Sequence, residues 1–439
     1  MTQISRRDLL RGGAGLAAAG GAAMLLPACG SSSGSSSTIS SGTTTISVWQ
    51  HQEPAFNDAY AKVAAEFEKT HKGVKINSLY IPFAELATKT LTAFAGGTPP
   101  DVAKLYGGDF ASFSSKGMFA AVDYKAMGYP SLPALKSAFM PNSMNQLVYN
   151  GTQYGLPVDW NALLLIYSID DFKEVGLDPS TPPATWADVL TYGQKLTKRD
   201  SAGNVTRAGF QWVYDGGTTW DYLNMLMLVN GMGGSLLTSS GGGNLNNAEG
   251  VRALTYYGDM STKYKISSPN ITGPAYDQGT FAQGKVSMYI ASNWAIPLIL
   301  AADKKLKEGV NFTVAPVPQW GSSATVVPAY TYGWAVAKST KNPELVWEFL
   351  KFMESRTNAG ALLSASDVVE PVANWQQLNP SDPGTQLMAK AAPDLVYGQP
   401  SPNFEQIAST LSTGIQSLAR GQTTAAKFAA QFDATSFGS

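Results

Sequence analysis

Histidine and cysteine are almost absent from this chain, with two His and one Cys in 439 residues. His51 and His71 stand twenty positions apart with no thiol near either, which excludes a zinc or redox-metal site. A calcium site built from carboxylates and carbonyls stays open, though no EF-hand spacing is present, and the reading assigns neither metal nor cofactor. A lone Cys29 rules out any intramolecular disulfide, and stability must rest on apolar cores. Charge is also scarce: 14% of residues are charged and the net charge is −1, which gives no footing for nucleic acid or an anionic membrane surface. Solenoid-spaced repeats are missing. So is any second apolar stretch long enough to cross a bilayer.

What is present begins at the N-terminus. Ser5, Arg6, Arg7, Asp8, Leu9 and Leu10 precede a weakly apolar Gly/Ala tract, then Leu26, Pro27, Ala28 and Cys29, then a Gly/Ser run. A twin arginine ahead of a mild apolar stretch is an export signal, and a Cys after small residues is a lipidation site. Residues 12–28 are too short and too glycine-rich for a membrane span. Residues 1–28 are therefore expected to be a twin-arginine lipoprotein signal, and residues 29–43 a lipidated Cys29 with a flexible leash reaching roughly 20 Å. A diacylglycerol on Cys29 would hold the protein to the cell membrane from outside, since each buried methylene contributes about 0.8 kcal/mol. Removing 28 of 439 residues leaves 411, and losing three Arg and one Asp takes the net charge from −1 to −3. That length supports two lobes with separate cores.

Along the body, residues 44–48 alternate as a strand and residues 54–71 place Phe56, Tyr60, Val63 and Phe67 at helical spacing. Residues 74–79 alternate again, 83–95 read as helix, and Pro99, Pro100 and Asp101 lead into a strand over 102–106. This β-α-β-α-β rhythm predicts a parallel sheet covered by helices. Residues 151–158 read as a turn and strand, and 163–167 as a buried strand. Thr185 and Asp188 form a capping-box start for a helix through Leu196. Asn342, Pro343 and Glu344 open another with a cap residue, a proline and an acid in its first turn. A last long helix over 403–419 closes on Arg420 and Gly421. In such α/β bodies ligands bind beyond the carboxyl ends of strands, so residues just after strands are the candidates.

Two motif matches are discounted. Gly279 to Lys285 has phosphate-loop spacing, but Val286 stands where a magnesium-binding hydroxyl belongs, and the segment reads as a helix ending at Gly284 and a strand starting at Val286. Gly30, Ser32 and Gly34 fit a nucleophile elbow but lie in the leash with no preceding strand. Asp101, Asp109, Asp159 and Asp221 fall near strand ends and would serve as hydroxyl binders or as a glycosidase pair, though no motif selects a pair.

Aromatics are abundant, with ten Trp, nineteen Tyr and eighteen Phe, more than cores of this length require. Five strand exits combine rings with amides or acids: Trp49, Gln50, His51, Gln52 and Glu53; Asp159, Trp160 and Asn161; Trp220 and Asp221; Asn293 and Trp294; and Tyr330, Thr331, Tyr332, Gly333 and Trp334. Sugars present apolar C–H faces ringed by hydroxyls, so a sugar site needs flat aromatic surface beside hydrogen-bonding carboxylates and amides.

Residues 96–102, 154–158, 182–186, 281–288 and 342–350 follow one another in an order that resembles the extracellular solute-binding proteins of ABC importers, in the family-1 carbohydrate binders similar to maltose-binding protein. The resemblance covers nearly the whole mature chain. It implies a two-lobed periplasmic-binding-protein-like α/β fold of type II, with a ligand cleft between lobes joined by crossing segments. The expected lobes are 44–158 plus about 293–338, and 159–292 plus about 339–439. Carried onto this chain, Trp49 to Glu53, Asp159 to Asn161 and Trp294 face the ligand. The full candidate set is Trp49, Gln52, Glu53, Asp109, Asp159, Trp160, Asn161, Trp220, Asn293, Trp294, Tyr332 and Trp334. No arginine lies in these clusters, which favours a neutral ligand. The expectation is a monomeric, membrane-tethered, non-enzymatic receptor that captures a neutral sugar and passes it to the permease subunits. A binder of a glycerophosphodiester or polyol with the same fold, a secreted glycosidase and a surface adhesin stand as alternatives.

Overall fold

The computed structural model describes residues 42–140, 142–212, 218–271, 278–321, 325–364, 383–391 and 394–437. The expected export signal, Cys29 and nearly all of the leash lie outside them. The alternating first segment is strand β1 (Thr44–His51), followed by α1 (Pro54–Thr70), β2 (Val74–Ile81), α2 (Phe83–Ala95) and β3 (Val102–Tyr106). Pro54 starts α1 at the position where a missing N–H costs nothing, and Phe56, Tyr60, Val63 and Phe67 form its buried stripe. β1 pairs in parallel with β2 and β3, setting Val48 beside Val102.

Two later strands complete this sheet. Tyr332–Val336 runs antiparallel to β3 and to Gly155–Pro157, giving five strands in the order β2, β1, β3, Tyr332–Val336, Gly155–Pro157. Helices cover both faces. Val48, Val102, Trp334 and Val336 pack with α1 and the helix Pro343–Met353, while Ala103, Leu105 and Ala335 pack with Leu86, Phe110, Phe113 and Phe119.

The close sheet crossing leaves no room for a side chain at Gly155, where an added Cβ would come within 2.3 Å of the Phe110 ring. Gly155→Ala is expected to cost about 1–3 kcal/mol by overpacking, read as a lower denaturant midpoint at unchanged m-value.

A second body is built on Leu164–Ser168, flanked antiparallel by Met288–Ala291 and Phe312–Pro316. Its core gathers Trp186, Val189, Leu223, Leu226, Leu254, Tyr257, Ile290 and Leu411. The predicted capping box is formed: Thr185 Oγ1 accepts from Asp188 N–H and Asp188 Oδ2 accepts from Thr185 N–H. Asn342 makes no side-chain cap, although Pro343 and Glu344 occupy the first turn as expected. Arg420 caps Phe404–Ala419, and Gly421 takes a left-handed φ of 68°. The strand expected from Val286 starts at Met288, with Val286 reduced to a single bridge to Ala208.

Two antiparallel segments join the sheets side by side. One runs from Gly155–Pro157 through Asn161–Ala162 to Leu164–Ser168; the other runs from Val327–Tyr330 to Tyr332–Val336. Val158 N–H donates to Tyr332 O at 2.8 Å and Leu163 N–H to Pro328 O at 2.9 Å. Leu395–Tyr397 makes a third crossing, parallel to Val327–Tyr330.

The packing departs from the expected lobe boundaries in both late segments. Ala295, Ile296, Ile299 and Phe312 belong to the core of the second body. Val346, Trp347, Phe349, Leu350 and Leu362 belong to that of the first. The cause is geometric: Phe349 lies 5.1 Å from the Phe67 ring and closes the apolar stripe of α1.

Candidate functional site

The carboxyl ends of β1 and β3 and the crossing segments converge on one polar cluster. Lys104, in the middle of β3, is 1% exposed and lies 3.6 Å from the centroid of the Phe56 ring. Its Nζ is 3.3 Å from Glu53 Oε2 and 3.9 Å from Asp159 Oδ2. His51 Nε2 reaches the same Glu53 oxygen at 3.0 Å. Because an ionised carboxylate only accepts, Nε2 carries the proton. Asp159 Oδ1 accepts from Tyr332 N–H at 2.9 Å and Asn161 Nδ2 at 3.1 Å, and the Asp159 carbonyl accepts from Thr331 Oγ1.

Burial and the crowding of charge set the ionisation of these groups. Burial would push Glu53 up, but the Lys104 charge and the hydrogen bonds from His51 and Lys104 hold it well below the usual carboxylate range. Burial pushes Asp159 up to about 6, against Lys104 and the Tyr332 N–H. His51 is held below its ordinary value by burial and then by Lys104, so it is neutral at pH 7.

From this cluster an aromatic band leads to the second body. His51 and Tyr332 have centroids 4.8 Å apart, with the Phe83 ring 6.0 Å from His51. Tyr332 lies 6.1 Å from Tyr330, whose hydroxyl accepts from Trp294 Nε1 at 2.7 Å. Trp220 closes the band 5.7 Å from Trp294 and 6.4 Å from Tyr330. Tyr106 lies 6.0 Å from Tyr330 and 5.5 Å from Phe404. Glu53, Phe83, Tyr332 and Trp294 are half-buried and Gln52 is exposed. The band thus offers the half-buried rings of Phe83, Tyr332 and Trp294, a fixed carboxylate and an amide to a polyhydroxylated solute, with His51, Tyr330, Trp220 and Tyr106 buried behind them.

The expected residues divide between this cluster and the cores. Glu53, Asp159, Asn161, Tyr332, Trp220 and Trp294 are brought together, with Gln52 beside them. Trp334 is withdrawn into the core of the first body, 1% exposed and 6.1 Å from the Tyr60 ring. Trp160 is fully buried at the crossing, its Nε1–H donating to Tyr397 Oη at 2.7 Å. Trp49 packs half-buried against the opposite face of the first sheet, and Asn293 is buried with Oδ1 3.1 Å from Ser292 Oγ. Asp109 is buried against Glu405; burial and then the second carboxylate push it well above its usual range. Asp101 binds Ser47 and Thr340 and serves the loop ahead of β3. Lys104 is absent from the expected set although its signal is plain: one cation inside Val102–Tyr106, a strand buried at every position.

Asp221 turns away from the band towards the helix Phe404–Ala419. Its Oδ2 accepts from Ser412 Oγ at 2.6 Å and Gln416 Nε2 at 3.4 Å. Burial pushes it up to about 7 despite these hydrogen bonds. A folded-state value above the unfolded one means the native state holds the proton more tightly, so this group's contribution to stability falls as pH rises from about 4 to about 7. Asp221→Asn removes that titration. It is expected to gain about 1–2 kcal/mol at pH 8 after the cost of a poorly placed amide N–H, with the advantage gone at pH 4 in paired thermal melts.

The family model described as bacterial extracellular solute-binding protein matches residues 53–360. The maltodextrin-binding protein MdxE of Bacillus subtilis is 26% identical over 295 residues, 65% of this chain and 66% of its own. An sn-glycerol-3-phosphate-binding periplasmic protein of Pectobacterium atrosepticum is 21% identical over 397 residues, 87% of this chain and 88% of its own. Among solved structures, CpMnBP1 with mannotriose bound superposes with a TM-score of 0.77 at 25% identity, covering 89% of this chain and 99% of that one.

Proposed function

Because the chain belongs to the bacterial extracellular solute-binding protein family, we propose that it is the substrate-binding component of an ABC importer, capturing a neutral sugar or oligosaccharide and delivering it to the permease subunits. The observation that carries this reading is the aromatic band from His51 to Trp220, which draws its rings from both bodies and starts at His51, in contact with Glu53. A solute held there touches both sides only when the bodies close on it, so binding shifts the open–closed equilibrium. No bond is made or broken. The N-terminal residues support export by the twin-arginine route and anchoring through lipid on Cys29.

The glycerophosphodiester reading takes its support from relatives that bind sn-glycerol-3-phosphate. Phosphate would want an arginine fork or a helix N-terminus. Arg207 is engaged with Asp171 and Glu174, Arg252 lies over Trp320, and Lys104 is buried between two carboxylates. A glycosidase reading would need a paired acid: Glu53 and Asp159 are the pair at the site, with Lys104 between them, while Asp221 faces Ser412.

A thermal-shift panel of mono-, di- and oligosaccharides with glycerophosphodiesters tests the assignment. A ligand at a hundred times its Kd stabilises by about 2.7 kcal/mol, or a few degrees. A shift with one saccharide class is the expected result; a shift with phosphodiesters alone would transfer the assignment to them.

A further inference from the structure

We infer that Lys104, which no solute reaches, is a positioning residue of the site: it fixes the Glu53 carboxylate as the acceptor for a ligand hydroxyl, and so selects a neutral ligand that presents a donor there. The inference rests on the sugar-receptor reading and specifies which atoms would read the sugar.

Glu53 stands at the N-cap of α1, where a carboxylate ordinarily turns inward to accept the free N–H groups of the first turn. It does not do so here. Asn57 takes over the bracing of that loop, its Oδ1 accepting from Glu53 N–H at 2.8 Å and its Nδ2 donating to His51 O at 3.3 Å. The Glu53 carboxylate is thereby released from helix capping and swings towards β3. His51 Nε2 and Lys104 Nζ both meet it on Oε2, at 3.0 and 3.3 Å, and Oε1 takes neither contact. One oxygen is pinned by two donors, and its partner remains for an incoming hydroxyl on a side chain that keeps 22% exposure.

Lys104 is poorly explained as a stabiliser alone. A buried ion pair is seldom worth more than an apolar side chain of the same volume, and every other residue of Val102–Tyr106 is apolar or aromatic. Asp159, its second neighbour, is already satisfied at Oδ1 by Tyr332 and Asn161 and sits farther away at 3.9 Å. The closest charged partner of Lys104 is a carboxylate at the start of the aromatic band, bonded to His51. Removing the ammonium would leave the half-buried Glu53 beside Asp159 with a neutral histidine as its only donor of the two, and its carboxyl would shift upward from its present depressed range.

The test is isothermal calorimetry of the purified protein with the saccharide that gives the largest thermal shift, from pH 4.5 to 8. The variants are Lys104→Met, Lys104→Arg, Glu53→Gln and Lys104→Met/Glu53→Gln. Wild type is expected to change Kd by less than threefold between pH 8 and about pH 5, the small slope belonging to Asp159, which titrates at about 6. Lys104→Met should bind at least tenfold more weakly at pH 8 and weaken further below pH 6. Lys104→Arg should restore the wild-type profile, and Lys104→Met should add less than twofold in the Glu53→Gln background. A Lys104→Met protein that melts earlier yet keeps the wild-type Kd and pH profile would overturn the inference and leave the receptor reading intact. If Lys104→Met does not fold, Glu53→Gln decides alone: a tenfold loss supports the inference and an unchanged Kd overturns it. Wild-type protein that binds no saccharide would remove the receptor reading, and this inference with it.

Discussion

Trp294→Ala is expected to weaken saccharide binding 30- to 1000-fold while changing the melting temperature of the free protein by only a few degrees. Trp294 is half-buried, anchored by its Nε1–H on the Tyr330 hydroxyl at 2.7 Å and flanked by Trp220. That anchoring fixes the ring before any solute arrives, so little side-chain entropy is lost on binding. A pre-set aromatic in the centre of a contact surface contributes about 2–4 kcal/mol when truncated, which is the stated range of affinity. Its removal exposes no large part of either core, because the residue is only half-buried and lies at the edge of the second body's core. Calorimetric titration together with a melting curve of the unliganded variant checks both halves of the expectation. Loss of folding with normal affinity in the remaining native protein would place Trp294 in the core instead.

Trp334→Ala should behave in the opposite way. The side chain is 1% exposed and packed towards α1, with its ring 6.1 Å from that of Tyr60, on a strand with a neighbour on each side. Truncating a buried tryptophan costs about 3–5 kcal/mol, through lost transfer energy and a cavity the neighbours cannot refill. Against a total stability of about 5–15 kcal/mol, that removes between about a fifth and nearly all of the folding free energy, so the variant is best compared at low temperature. Its affinity there should remain within a few fold of wild type. Denaturant unfolding measures the first part, and titration at 10 °C the second.

The contrast between these two tryptophans marks how far sequence reasoning reaches. Both follow strand signals and both stand among polar neighbours, so composition treats them alike. Strand alternation separates them only once the register is known: Trp334 pairs with Lys104 and shares the α1 face with Val102, and that pairing joins residues more than two hundred positions apart. The local elements were legible because their causes are local. The stripe of α1, the Thr185 capping box and the C-terminal Gly421 each follow from spacing within a few residues. Glu53, Asp159, Tyr332 and Trp294 were legible as site candidates because they follow strands and combine rings with acceptors. Lys104 was passed over because strand reading discards a lone charge in an apolar run, when a cation in such a run must have a buried partner. The lobe boundaries failed for a related reason. Whether the helix Pro343–Met353 covers one sheet or the other depends on which apolar face is left open, and no window of sequence contains both.

That helix also imposes an order of events on the newborn chain. Phe56, Tyr60 and Phe67 are translated early, yet Trp347, Phe349 and Leu350, which cover them, follow nearly three hundred residues later. Through most of synthesis the first sheet therefore carries a sticky, uncapped side, while the second body, encoded in between, is assembled around it. The protein cannot mature half by half from its N-terminus. It must stay soluble in an unfinished state until its late segment returns, and its dependence on helper proteins during production should be set by that wait rather than by the stability of the finished molecule.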